Sequence, residues 1–131
     1  MPYQINIIEE TQNNDYFRKV LFTGKRSQLV VMSIPPGESV GEEVHQNVEQ
    51  TLFFMTGSGI ALLDGVPSPV SAGDVVVVTP GTKHDFVNTG TKPLKIYTIY
   101  APANHIDGRI HQTKADAVLD IEDEKFGDRV L

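Results

Sequence analysis

The chain has no cysteine. Disulfides, thiolate zinc sites, iron–sulfur clusters and cysteine nucleophiles are therefore excluded, and any metal must rest on histidine, carboxylate or amide oxygen. It also lacks an uncharged apolar run near the ~20 residues that a bilayer crossing requires, and Met1-Pro2-Tyr3-Gln4 carries neither the basic nor the apolar block of a signal peptide. A cytoplasmic location is the expectation. There is no Lys/Arg block either. The 11 basic and 17 acidic residues give a net charge of −6 spread along the chain, so the counterion release that drives nucleic-acid binding has no footprint. Neither nucleic acid nor a membrane is expected as a partner.

What the 131 residues do contain is a turn-rich mixture, 40% apolar and 21% charged with 11 Gly and 8 Pro, sized for one domain over 1–131 with a real core. From Tyr16 to Tyr100 short apolar, β-branched or aromatic runs alternate with turn residues. The predicted strands are Phe17–Thr23, Leu29–Ile34, Thr51–Thr56, Ile60–Leu63, Val66–Val70, Val75–Thr79, His84–Asn88 and Leu94–Tyr100. Gly24-Lys25, Asp64-Gly65 and Thr89-Gly90 supply cheap positive φ, and Pro35-Pro36-Gly37 stops a ladder because two successive residues lack an N–H. With no helix visible between strands, antiparallel pairing in an all-β sandwich or barrel is expected over about 16–100.

Leu52-Phe53-Phe54-Met55 and Val75-Val76-Val77-Val78 are apolar on both faces, which demands cover on each side and predicts a homodimer. Ile5–Ile8 reads as an added strand or an arm on a partner. The tail, 101–131, holds His105 and His111 in a segment that reads as a surface loop or as a cover over the barrel mouth. Beyond it Thr113 is placed to cap one short helix that ends in the acidic, frayed stretch Asp120–Glu124.

Two segments carry side chains that strands alone do not need. In the first, Glu43 and His45 are two apart, so an extended chain points a carboxylate and an imidazole to one face. Gln50 opens the next strand, with Leu52 and Phe54 on its face by period two. In the second, Gly73 precedes a strand that ends in Thr79-Pro80-Gly81 and restarts at His84, with Phe86 and Asn88 following on one face. Tyr100 joins an inward set if Leu94, Ile96 and Thr98 face the interior.

These blocks resemble the motifs of the cupin superfamily: a Gly, five residues, His-x-His, then Glu and a later Gly, followed by Gly, Pro-x-Gly, two residues, His, three residues and Asn. Gly73, Gly81, His84 and Asn88 fit the second motif, with Pro80 one place late. In the first, counting back from Gly57, Gln50 stands where the family has Glu, His45 takes the second His position and Glu43 the first. The resemblance implies a double-stranded β-helix, or jelly-roll barrel, and a divalent-metal site (Zn, Mn, Fe or Ni) on Glu43, His45, Gln50 and His84. Two imidazoles and one carboxylate suit such ions. Glu43 is either a ligand or a catalytic base, and Leu52, Phe54, Phe86 and Tyr100 would line a pocket for a small organic or sugar-like molecule. The resemblance is nearest to stand-alone cupins described as mannose-6-phosphate isomerase-like. It implies a metal-dependent enzyme of isomerase or dioxygenase type, or alternatively a non-catalytic binding or sensing module.

Overall fold

A computed structural model describes residues 1–129, and it is an antiparallel β structure of two facing sheets with helices only at the flanks. The strands are β1 (Arg18–Thr23), β2 (Gln28–Ile34), β3 (Glu49–Thr56), β4 (Ser58–Leu63), β5 (Val66–Ser71), β6 (Val75–Val78), β7 (His84–Asn88), β8 (Leu94–Ala101) and a short β9 (Ile110–His111). Six form one sheet in the order β6-β3-β8-β2-β1-β9, and β5-β4-β7 form the other. The eight predicted strands are all present, and the fold is the all-β barrel that the turn chemistry and alternation implied, with the two-sheet architecture that the resemblance added.

Alternation decides which residues fill the space between the sheets. Leu52 and Phe54 of β3, Phe86 of β7, and Leu94, Ile96 and Tyr100 of β8 are all at most 2% exposed, while their sequence neighbours face outward. Close approach of the backbones also matters. A Cβ on Gly59 would run into the Val87 carbonyl oxygen, so the β4–β7 pairing needs glycine there.

The flanks differ from expectation. Ile5–Ile8 is not a strand; Ile7–Asn13 is a helix, α1, with the Asn6 side chain accepting from the Glu9 amide and two glutamates in its first turn. That cap and those charges outweigh the β-branched residues that suggested extension. Lys95, on the outer face of β8, donates to the carbonyls of Gln12 and Asn14, so the end of α1 lies over the six-stranded sheet. The C-terminal segment forms two helices where one was expected, α2 (Lys114–Leu119) and α3 (Ile121–Asp128), because Asp120 ends the first and caps the second. Thr113 caps α2 as predicted, in a reciprocal pair with Asp116. The outer side of β6 is not covered by the described residues: Val75 and Val77 are 53% and 52% exposed.

Candidate metal centre

The segment from Pro35 to Val48 forms no regular strand, yet it is held to β7 by backbone bridges at Ser39–Val87 and Glu43–His84. The Glu43 and His84 amides each donate to the other's carbonyl at 2.9 Å. The turn after β6 is tied to the same segment, since the Gly81 amide donates to the His45 carbonyl at 2.8 Å. Gly81 sits at φ 85°, where a side chain would be strained. The two sequence blocks are thus joined through their backbones before any side chain is considered.

On this frame the donor atoms of Glu43, His45 and His84 all lie within 4.8 Å of one another. The His84 Nδ1 stands 3.0 Å from the Thr82 carbonyl. A carbonyl only accepts, so Nδ1 carries the proton and Nε2 is left with its lone pair free for an ion. Burial, set against that hydrogen bond, lowers the His84 pKa and favours this neutral form. His45 Nε2 is 3.0 Å from Glu43 Oε2 but is not aligned as a hydrogen bond, so a buried ring nitrogen stands without a partner. Such an orphan is uncommon and costly, and a cation among these three groups would satisfy it. Burial alone would raise the Glu43 carboxyl. The adjacent His45 imidazole and the Arg18 charge outweigh it and leave the pKa at about 2, so the donor is an anion at neutral pH. The set fits a divalent ion held by two nitrogens and an oxygen.

Gln50 is buried and faces inward with Leu52 and Phe54, as the parity argument required, and its Nε2 donates to Thr98 Oγ1 at 3.2 Å. Tyr100 is 2% exposed, with its ring edge-on to both His45 and His105, and burial pushes its hydroxyl pKa well above the usual tyrosine value. Leu52, Phe54 and Phe86, expected to line a ligand pocket, are core residues. The cavity next to the centre lies elsewhere. It has a volume of about 430 Å³ and is walled by Phe17, Arg18, Val40 and Glu43 to His45 on the barrel side, and by Asn104, His105, α2 and α3 on the other.

The tail therefore covers the mouth rather than forming a free loop. His105 Nδ1 meets Asp123 Oδ2 at 2.7 Å, the Ile106 amide donates to Asp123 Oδ1, and both His105 and Asp123 are buried. Burial, joined by the Arg18 charge, lowers His105 to about 4 against the pull of Asp123. His111 instead pairs with Asp120, away from the three donors. His111, Asp120 and Asp123 could be mistaken for a second metal site. However, every oxygen of the two carboxylates already faces a donor, among them the Asp123 amide, the His111 ring and the Arg109 guanidinium, so the cluster works as a clasp between tail and helices. Sequence reasoning missed Arg18, which is 5% exposed with Nη2 3.8 Å from Glu43 Oε1, and it missed Asp123.

A family model described as "Cupin domain" matches residues 30–100. Among curated proteins, YrkC of Bacillus subtilis, described as uncharacterized, is 43% identical over 123 residues, which cover 89% of this chain and 66% of YrkC. A protein of Thermotoga maritima named an oxalate-binding protein is 32% identical over 68 residues, 52% of this chain and 56% of its own length. A crystal structure of a Bacillus halodurans protein superposes with a TM-score of 0.88 at 37% identity, covering 90% of this chain and 94% of that one.

Proposed function

This chain belongs to the cupin family, and from that premise we propose that it holds one divalent metal ion on Glu43, His45 and His84, with Gln50 beside them, and uses it on a small organic molecule entering from the 430 Å³ cavity. The observation that carries this reading is the convergence of three donors, one of them a buried ring nitrogen with no aligned hydrogen bond among the described residues. A bound ion would act as a Lewis acid, polarising a ligand oxygen. The chain's own residues set the rest: Thr82 fixes the His84 tautomer, Arg18 and His45 keep Glu43 ionised, and the tail restricts water at the mouth. With its pKa at about 2, Glu43 is too weak a base for proton transfer near neutrality, so the ligand role is preferred to the catalytic one.

That weakness favours a second reading, a metal-dependent binding or sensing module without turnover. A mannose-6-phosphate isomerase-like activity is not part of the proposal, because the cavity offers two cations, Arg18 and Lys114, against five acids, too few to hold a phosphate dianion. The test is elemental analysis of protein purified without an affinity tag or added metal, followed by Mn(II) titration. About one ion per chain is expected, and it should be lost as pH falls below roughly 6, because protonated imidazole cannot ligate. Burial lowers the His84 pKa, which moves its share of that loss to more acidic pH. Occupancy that stays flat to about pH 4 would exclude histidine ligands.

We also propose that the chain is a homodimer that buries the part of the six-stranded sheet's outer side left open by α1. Val75, Phe53 and Tyr97 form an apolar row across β6, β3 and β8, with the Phe53 and Tyr97 rings stacked, and beside it Val77 is open. A particle of about twice the chain mass is expected by light scattering at micromolar concentration, through an interface of more than ~1,000 Å². A single-chain mass would reject it.

A further inference from the structure

The barrel side of the cavity holds a buried cation, Arg18, that is not one of the metal donors. Arg18 is 5% exposed, with the Tyr100 hydroxyl beside it and the Phe17 ring 5.2 Å from its Cζ; its Nε has no hydrogen-bond partner, and Glu43 is its one ion-pair partner among the described residues. At 3.8 Å the contact is longer than a hydrogen bond, so even this pairing is loose. A buried cation is costly unless its charge is matched.

If Glu43 gives its charge to a divalent ion, the match for Arg18 weakens further. Metal, Glu43 and Arg18 together then carry two positive charges. The next carboxylate, Asp123, is already engaged by His105 and the Ile106 amide. The Asp123 charge lies near, but Arg18 keeps a buried Nε–H without an acceptor, and a guanidinium is shaped to take a carboxylate through paired N–H donors.

The rest of the cavity says what must be attached to that carboxylate. Phe17, Val40, Val44, Ala117 and Val118 offer apolar walls, while Glu42, Glu124 and Asp128 add negative charge. The one further cation in the lining is Lys114, whose Nζ donates to Ser39, so the acids outnumber the cations and disfavour a second anionic group on the ligand. The 430 Å³ would hold roughly 14 waters at liquid density, which is too much space for a two-carbon acid alone. Most of these determinants lie outside the matched segment 30–100: Phe17 and Arg18 precede it, and α2 and α3 follow it.

We infer that Arg18 receives the carboxylate of an organic acid with an uncharged apolar body, bound head inward with the body between Phe17 and α2; the inference rests on the metal centre proposed above. The flanking segments, rather than the shared barrel, then set ligand choice.

Calorimetry on Mn(II)-loaded protein tests this with mandelate and 2-hydroxyhexanoate as probes, glycolate as the acid without a body and mandelamide as the uncharged counterpart. At least one of the two larger acids should bind ~10-fold or more tighter than glycolate and mandelamide. Arg18→Met should keep its Mn(II), read by electron paramagnetic resonance, and lose roughly 30-fold or more in affinity for that acid, the usual cost of removing one partner of a buried charge pair. Mandelamide binding as well as mandelate, neither larger acid binding the wild type, or unchanged affinity in Arg18→Met would each overturn the proposal. Should Arg18→Met not fold, Arg18→Lys decides: with the charge kept, it must still prefer acid to amide. The same titrations on metal-free protein separate the two readings. A chain that takes up no Mn(II), yet prefers the acid only when Arg18 is present, keeps the role of Arg18 and rejects the metal centre.

Discussion

Replacing His84 by alanine is expected to abolish metal binding at micromolar concentration while leaving the barrel folded. His84 supplies one of only two imidazoles in the set, and its tautomer is fixed by Thr82 so that Nε2 faces away from the backbone. Perturbing even an outer partner of a metal ligand costs 10 to 100-fold in affinity, so losing the ligand itself should cost about 100-fold or more. The fold should survive because strand β7 is fixed by other means. Its backbone pairs with β4, Phe86 fills the core, and Asn88 ties its end by donating to the Ile34 and Lys92 carbonyls. The structural loss is the hydrogen bond to Thr82 together with the packing of a buried ring against Phe86, about 2 to 3 kcal/mol, which is less than the stability of a typical domain. Metal content per chain and a thermal melt of the metal-free variant are the two measurements. Full metal content in His84→Ala would remove this residue from the centre.

Much of that centre was legible in the sequence because it depends on short-range geometry. The spacing Glu43-x-His45 shares a face, and Gly81 to His84 to Asn88 is a turn followed by period-two alternation. Both are properties of a few consecutive residues. Arg18 was not legible, because a cation at the start of a strand reads as an edge residue. Its burial comes from the tail that folds over it, and that tail is held by a pair 18 positions apart, His105 and Asp123. Asp123 lies in a stretch whose composition suggested a frayed end, and no local periodicity marks which acid of Asp120-Ile121-Glu122-Asp123-Glu124 will turn inward. The Asn6 cap of α1 could have been read, since Asn followed three and four places later by Glu9 and Glu10 is a helix start.

Truncating Phe54 to alanine is expected to cost about 3 to 5 kcal/mol of stability without removing a single group from the metal centre. Its side chain is 2% exposed, its ring lies 5.5 Å from that of Phe86 at 52°, and it sits opposite Ile96 in the β3–β8 pairing. The void would open where the two sheets meet, bounded by residues that the β ladders hold in place and that cannot collapse to fill it. For a domain whose whole stability is of the order of 5 to 15 kcal/mol, that is a large share. Urea unfolding should show a lower midpoint at an unchanged slope, and Val66→Ala, at the exposed edge of the three-stranded sheet, should stay within about 0.5 kcal/mol. Below its melting temperature Phe54→Ala should still bind metal, because Glu43, His45 and His84 are positioned by their mutual backbone bridge and the Gly81 turn rather than by this ring. A loss under 1 kcal/mol would show that the sheets close around Phe54, and a loss of metal from the folded variant would show that the core, not the backbone bridge, sets the ligand geometry.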